Sequence, residues 1–155
     1  MSLIKVREYL KKYEKDEEIV EFDESSATVA EAAQAIGCGE ADIAKTLSFI
    51  VDGKPILIVM AGDKRCDNHK YKEFFHEKAH MIPREDLVEL VGHEAGGVCP
   101  FGVNDEVTIY LDESLKKHEF AYMRYKNTVI LLEEKFAKPM LQNQLVNTLK
   151  RIRQI

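Results

Sequence analysis

The chain has 155 residues, 45% of them hydrophobic and 32% charged, with a formal net charge of −5 at pH 7. A chain of that length suits one domain, spanning 1–155, that buries about two-thirds of the surface its unfolded form exposes. The acidic balance excludes a general nucleic-acid binder, because Lys and Arg on phosphates supply most non-specific affinity, so any RNA contact has to be local.

The three cysteines, Cys38, Cys66 and Cys99, are odd in number and form no CxxC, which argues against a disulfide framework and for a reducing, cytoplasmic setting. The first twenty residues are amphipathic and charged, and no apolar run approaches the roughly 18 residues of a membrane span. Neither a membrane nor DNA is expected as a partner.

In chain order, Val6, Tyr9, Leu10 and Tyr13 recur at helical spacing and predict a helix over 3–13 with one apolar stripe. Thr28-Val29-Ala30-Glu31 is a capping-box pattern, followed by Ala32, Ala33 and Ile36 on one face and Gly37 as a stop. Leu47, Phe49 and Val51 alternate with Thr46, Ser48 and Ile50, and Asp52-Gly53 then makes a two-residue hairpin into a strand over 55–60. Lys45 stands where a loop becomes that first strand.

Asp67 or Asn68 can cap a helix carrying Tyr71, Phe74 and Phe75, and Pro83 can open another carrying Leu87, Leu90 and Val91. Val107, Ile109 and Leu111 alternate as a strand. Residues 120–124 and 128–132 flank Tyr125-Lys126-Asn127 as a second hairpin, and Leu141, Leu145, Leu149 and Ile152 form a closing helix behind Pro139. Hairpins mixed with helices indicate an α/β (mixed) or α+β domain with a mixed, mainly antiparallel sheet.

Two segments carry the candidate chemistry. Lys45, among small and apolar neighbours, is costly to bury without an anion or carbonyl partner; a substrate can be that partner, and so can solvent at a strand end. Gly96-Gly97-Val98-Cys99-Pro100-Phe101-Gly102 removes side-chain bulk and fixes the backbone at Pro100, which suits either a tight turn or a loop presenting N–H groups to an oxyanion. Cys99 lacks a Cys–His signature for a nucleophile. Cys66, His69, His76 and His80 are a zinc set only in principle, without paired finger spacing. Basic clusters stand at Lys64-Arg65 with Lys70 and Lys72, and at Lys150-Arg151-Arg153. There is no GxxxxGK[ST], GxGxxG, GxSxG or HExxH.

In order and spacing, Ala27–Ala33, Lys45-Thr46-Leu47, Ala61-Gly62-Asp63, Gly96–Gly102 and Ile109-Tyr110-Leu111-Asp112 resemble the YbaK/prolyl-tRNA-synthetase-associated family of free-standing editing domains. The resemblance implies a barrel-like mixed sheet surrounded by helices, and hydrolysis of mischarged aminoacyl-tRNA, a small residue such as Cys or Ala on tRNA for proline. It implies Lys45, Gly96 and Gly97 as catalytic, and Thr46, Gly62, Val98, Cys99, Pro100 and Phe101 as substrate-binding, with no metal and no cofactor. The expected partners are aminoacyl-tRNA and an aminoacyl-tRNA synthetase that delivers it. Where family members carry a glycine-containing segment and an acidic or histidine pocket residue, this chain reads Tyr122–Thr128, so no residue there is carried over. A non-catalytic module holding an aminoacyl or nucleotide end is the competing expectation.

Overall fold

The structure is a computed structural model that describes residues 2–22, 28–117, 120–125 and 128–133. The closing helix expected around Leu141–Ile152, the Lys150–Arg153 cluster and the tip of the second hairpin lie outside the described residues.

Local sequence chemistry sets most element ends. Helix α1 (Ser2–Lys11) buries Val6, Tyr9 and Leu10, the stripe that the spacing predicts. Helix α2 (Val29–Ile36) starts with a complete capping box. The Thr28 hydroxyl accepts from the Glu31 N–H at 3.1 Å while the Glu31 carboxylate accepts from the Thr28 N–H at 3.0 Å, and Gly37 ends the helix in the left-handed region at φ +79°. Asp67 caps α3 (Asn68–Phe75), its carboxylate accepting from the N–H groups of His69 and Lys70. Behind Pro83 a 3-10 turn (Arg84–Asp86) leads into the short α4 (Leu87–Leu90).

Strands β2 (Ile43–Val51) and β3 (Lys54–Ala61) form the predicted hairpin, paired from Ala44↔Ala61 to Val51↔Lys54, with Asp52 and Gly53 both at positive φ. The remaining strands are β1 (Ile19–Glu21), β4 (Thr108–Leu111), β5 (Phe120–Tyr125) and β6 (Thr128–Glu133). They form one six-stranded sheet in the order β1-β6-β5-β2-β3-β4. Three of its pairings are antiparallel, while β2–β5 and β3–β4 are parallel. The sheet curls into a half-barrel, as expected for the mixed α/β class. The sequence pattern carries no sign of β1, whose three residues are too few to show an alternation and sit between acidic neighbours.

Strand alternation splits the core into two sides. On one side Ala44, Leu57, Val59 and Ile109 pack with α1, with Leu87 and Val91, and with Cys99 and Phe101 of the glycine loop. On the other, Phe49, Ile56, Ile58 and Met60 meet α3 through Tyr71, Phe74 and Phe75, while Ile43 meets Ala32 and Ala33 of α2. These two faces carry the two halves of the candidate site.

Candidate functional site

Lys45 is the third residue of β2 and pairs with Met60, so its side chain leaves the sheet on the α2/α3 side. There the half-buried ammonium donates to the carbonyl of Gly62 at 3.4 Å and to the carbonyl of Lys64, both in the segment that follows β3. Burial, and then the nearby Arg65 guanidinium, lower the Lys45 pKa, while Asp63, Cys66 and Glu40 pull it back up. The lysine is a cation held against main-chain oxygens beside a second cation.

Gly62 is irreplaceable at this corner for a steric reason. A Cβ there would lie 2.5 Å from the Glu40 carbonyl oxygen and from Val29 Cγ1, and 2.7 Å from the Ile43 carbonyl oxygen. Its N–H donates to the same Ile43 carbonyl at 2.6 Å. One residue earlier, the Ala61 N–H is taken by the buried Ser114 hydroxyl at 3.0 Å, and the Ser114 N–H is in turn held by the Asp112 carboxylate at 3.0 Å. Sequence reasoning noted Asp112 but missed Ser114, whose contact spans 53 positions and leaves no local signature.

The main-chain direction of β2 leaves one peptide edge next to Lys45 without a ladder partner among the described residues. Odd residues face β3, as the Gly62–Ile43 bond shows. Even residues face the other edge, where the Ile82 N–H donates to the Ser48 carbonyl and the Ile50 N–H to the His80 carbonyl. Among the described residues, strand β5 pairs with this edge at Ile43↔Tyr122 and Ala44↔Met123. Between the β5 contacts and the 80–82 segment, the outer peptide edge of Thr46 has no ladder partner among the described residues. Its side chain is half-buried.

The glycine loop is held from beneath by buried side chains. Phe101 is fully buried and stacks on Tyr9 of α1 with ring centroids 5.8 Å apart, and Pro100 is buried as well. The buried His93 bonds through Nε2 to the Phe101 carbonyl at 2.7 Å, with Cys99 Sγ 3.8 Å from that nitrogen. Burial lowers the His93 pKa, so the neutral ring is favoured and Nε2–H is the donor to the carbonyl. Gly96 (φ +82°) is exposed with no heavy atom within 4 Å of a Cβ position, whereas Gly102 (φ +66°) sits 3.1 Å from the Lys5 carbonyl oxygen by the same measure.

These contacts sort the predicted site residues. Lys45, Thr46, Gly62, Val98 and Gly96 are at least partly exposed. Cys99, Pro100 and Phe101, expected to line a substrate, are buried and instead anchor the loop. Burial raises the Cys99 thiol to about 12, which leaves almost no thiolate at neutral pH and sets it apart from an activated nucleophile. Gly97 was expected to offer its N–H outward, but donates it to the Glu94 carbonyl at 3.0 Å, closing the turn from within. Lys45 and the loop do not share a face of the sheet: Lys45 projects from the face opposite Ala44, and it is Ala44 that shares a core with Cys99 and Phe101. His93 went unremarked in the sequence, since one buried histidine before a glycine run has no spacing to reveal it.

The zinc set does not assemble. Cys66 packs against the α3 cluster and His69 faces Glu73 at 3.7 Å; among the described residues no three His, Cys, Asp or Glu side chains come together as a metal would require. Likewise, no described helix is long and apolar enough to cross a membrane.

Residues 23–132 match the aminoacyl-tRNA editing domain family, and the chain belongs to it. Among solved structures, a candidate trans-editing enzyme for prolyl-tRNA synthetase superposes with a TM-score of 0.80 at 26% identity, covering 91% of this chain and 92% of that one. The uncharacterised protein YwhH of Bacillus subtilis is 44% identical over 123 residues, 79% of this chain and 78% of YwhH. The proline–tRNA ligase of Bacillus licheniformis is 29% identical over 93 residues, 59% of this chain but only 16% of the ligase.

Proposed function

We propose that this chain is a trans-acting, metal-independent deacylase that hydrolyses the ester of mischarged tRNA, removing a small residue such as Cys or Ala, with tRNA for proline as the acceptor. The observation that carries the reading is the Lys45 ammonium, half-buried and tethered to the Gly62 and Lys64 carbonyls at the edge where β2 and β5 separate. In this reading the ester end lies along the β2 edge at Thr46, held by Lys45 on one face of the sheet and by the Gly96–Val98 stretch of the loop on the other.

An aminoacyl ester is already activated, so positioning and polarisation suffice. Water adds to the acyl carbon, the bond from that carbon to the ribose oxygen breaks, and the ribose oxygen takes up the proton that water gives. Lys45 orients the ester end. The loop's outward amides, with Gly97 excepted, stabilise the developing oxyanion, a contribution of about 2.7–4 kcal/mol per donor in comparable sites. Side chains differing by one methylene are separated by only ~1–3 kcal/mol, so the site selects chiefly by excluding larger residues.

The test is release of amino acid from Cys-, Ala- and Ser-charged tRNA, with Lys45→Met as control. Turnover of one small residue that depends on Lys45 supports the deacylase. A second reading, a module that binds the charged end without turnover, draws on the fact that Lys45 is already satisfied by two carbonyls. Tight binding with an ester lifetime no shorter than in buffer would establish that module in its place.

A further inference from the structure

We propose that Lys64, Arg65, Lys70 and Lys72 form the surface that takes the phosphodiester backbone of the RNA strand leading to the ester, with Arg65 on the linkage nearest Lys45. This rests on the deacylase reading for the identity of the strand, but it is read out by binding alone.

The chain carries −5 overall, so an RNA-binding face has to be a local reversal of sign. The ten residues from Asp63 to Lys72 supply one, with four cations interleaved with the carboxylates of Asp63 and Asp67. Asp67 is the N-cap of α3: its carboxylate accepts from the His69 and Lys70 N–H groups, so its charge is directed into the helix start. Arg65, Lys70 and Lys72 are exposed and Lys64 is partly so.

These cations also form no ion pair among the described residues. The ion pairs among the described residues join Arg7 to Glu21, Lys15 to Glu18 and His69 to Glu73, and none of the four takes part. Arg7 and Lys15 are paired with carboxylates, whereas this cluster forms no ion pair among the described residues, the Asp67 carboxylate being lowered in pKa first by the Lys70 N–H and also by the nearby Lys70 charge.

The patch is joined to the lysine by the main chain itself. The carbonyl that receives the Lys45 ammonium belongs to Lys64, and Arg65 is the next residue. Arg65 lies close enough that its charge disfavours protonated Lys45. Arg65 follows the residue whose carbonyl holds Lys45, so the two like charges repel across this short stretch of chain, an effect that Asp63 and Glu40 partly offset, and a phosphate reaching both converts it into two attractions. A neutral or cationic partner would leave the repulsion in place. A strand whose terminal ester sits at Lys45 brings its last phosphodiester to Arg65, and Lys70 and Lys72 continue the cationic surface along α3.

The test is fluorescence anisotropy with a labelled, deacylated tRNA for proline and with a microhelix of its acceptor stem, over a range of salt. Arg65→Glu with Lys70→Glu is expected to weaken binding at least about tenfold near 50 mM salt and to flatten log K against log salt by about 1.4, roughly 0.7 for each single-strand phosphate no longer neutralised. Lys12→Glu with Lys54→Glu, the same charge change at exposed lysines elsewhere, is expected to stay within about threefold with its slope kept. Arg65→Lys should restore most of the affinity that Arg65→Gln removes. Thermal melts verify that each variant is folded. Equal losses in both double variants, an unchanged slope in the first, or no binding of either RNA by the parent chain overturns the proposal. Failure of the deacylase reading looks different: salt-dependent binding through Arg65 persists while the ester survives.

Discussion

The corner around Lys45 and the loop around Gly96 are built by opposite means. At the corner a charged side chain is the proposed functional group and main-chain carbonyls are its support, with Gly62 letting three segments close to within 2.5–2.7 Å of an absent Cβ. In the loop the main chain is the proposed functional group and side chains are its support, through His93, Cys99, Pro100 and Phe101 packed beneath. The difference teaches where each tolerates change. The corner is sensitive to any added carbon and to loss of one charge, and the loop to loss of buried volume two or three residues from the atoms that act.

The largest effect that separates the two regions is on turnover. Lys45→Met is expected to lower deacylation by roughly 100-fold or more, while two carbonyls that lose a donor cost only about 1 kcal/mol of stability. Single-turnover kinetics beside urea unfolding measure both. Turnover within a few-fold of the parent would remove the corner from the mechanism and leave the loop alone.

Next is Gly62→Ala, whose methyl overlaps two carbonyl oxygens and Val29; about 3 kcal/mol of destabilisation is expected. Gly96→Ala, with open space around its Cβ but a positive φ, should cost about 1 kcal/mol. Equal costs would mean that the corner relaxes and that the contrast is false.

His93 sharpens the loop side through pH. Its folded pKa lies below the unfolded value of about 6.5, so below that pH the unfolded chain binds a proton that the folded chain resists. The contribution is complete above pH ~6.5 and is lost as pH falls toward the folded value. Unfolding free energy against pH should therefore drop on the acid side in the parent and drop less in His93→Gln. Coincident curves would deny His93 its supporting role.

Cys99→Ser is expected to keep turnover within about threefold and to cost about 1 kcal/mol, the hydroxyl inheriting the thiol's contact with the Phe101 carbonyl. Complete inactivation, or an acyl-thiol adduct trapped at Cys99, would put the loop's chemistry in a side chain after all. The smallest shift is electrostatic. Arg65→Met removes a cation that depresses Lys45, so the alkaline limb of the rate profile should move to higher pH. Movement to lower pH would reverse the sign assigned to that pair.

Much of the frame was legible because local chemistry fixes it. The Thr28/Glu31 box, Gly37, the Asp52-Gly53 turn and the Asp67 cap each act within four residues, and each appears where the sequence puts it. The family likeness located Lys45 and the glycine loop for the same reason. Direction was not legible. Whether Cys99 and Phe101 line a cavity or brace a loop depends on α1 arriving over the loop from about ninety residues away. The Ser114 contact with Ala61 and the β2–β5 pairing are likewise long-range, and hydrophobic alternation carries no trace of either.

The two-residue seam between β2 and β5 has a consequence for how the molecule opens. Among the described residues, eight pairs join β2 to β3 and six join β5 to β6, but two hold the β1-β6-β5 ribbon to the β2-β3-β4 ribbon. Cooperative units of a sheet part where the ladder is shortest. Amide exchange at Ala44 and Arg124 therefore reports a sub-global opening at the seam, with a free energy below that of the buried β3 amides, and the ribbons separate as wholes while each hairpin stays zipped. Proteolytic nicking under mildly destabilising conditions would follow the same line, releasing strand pairs and not single strands.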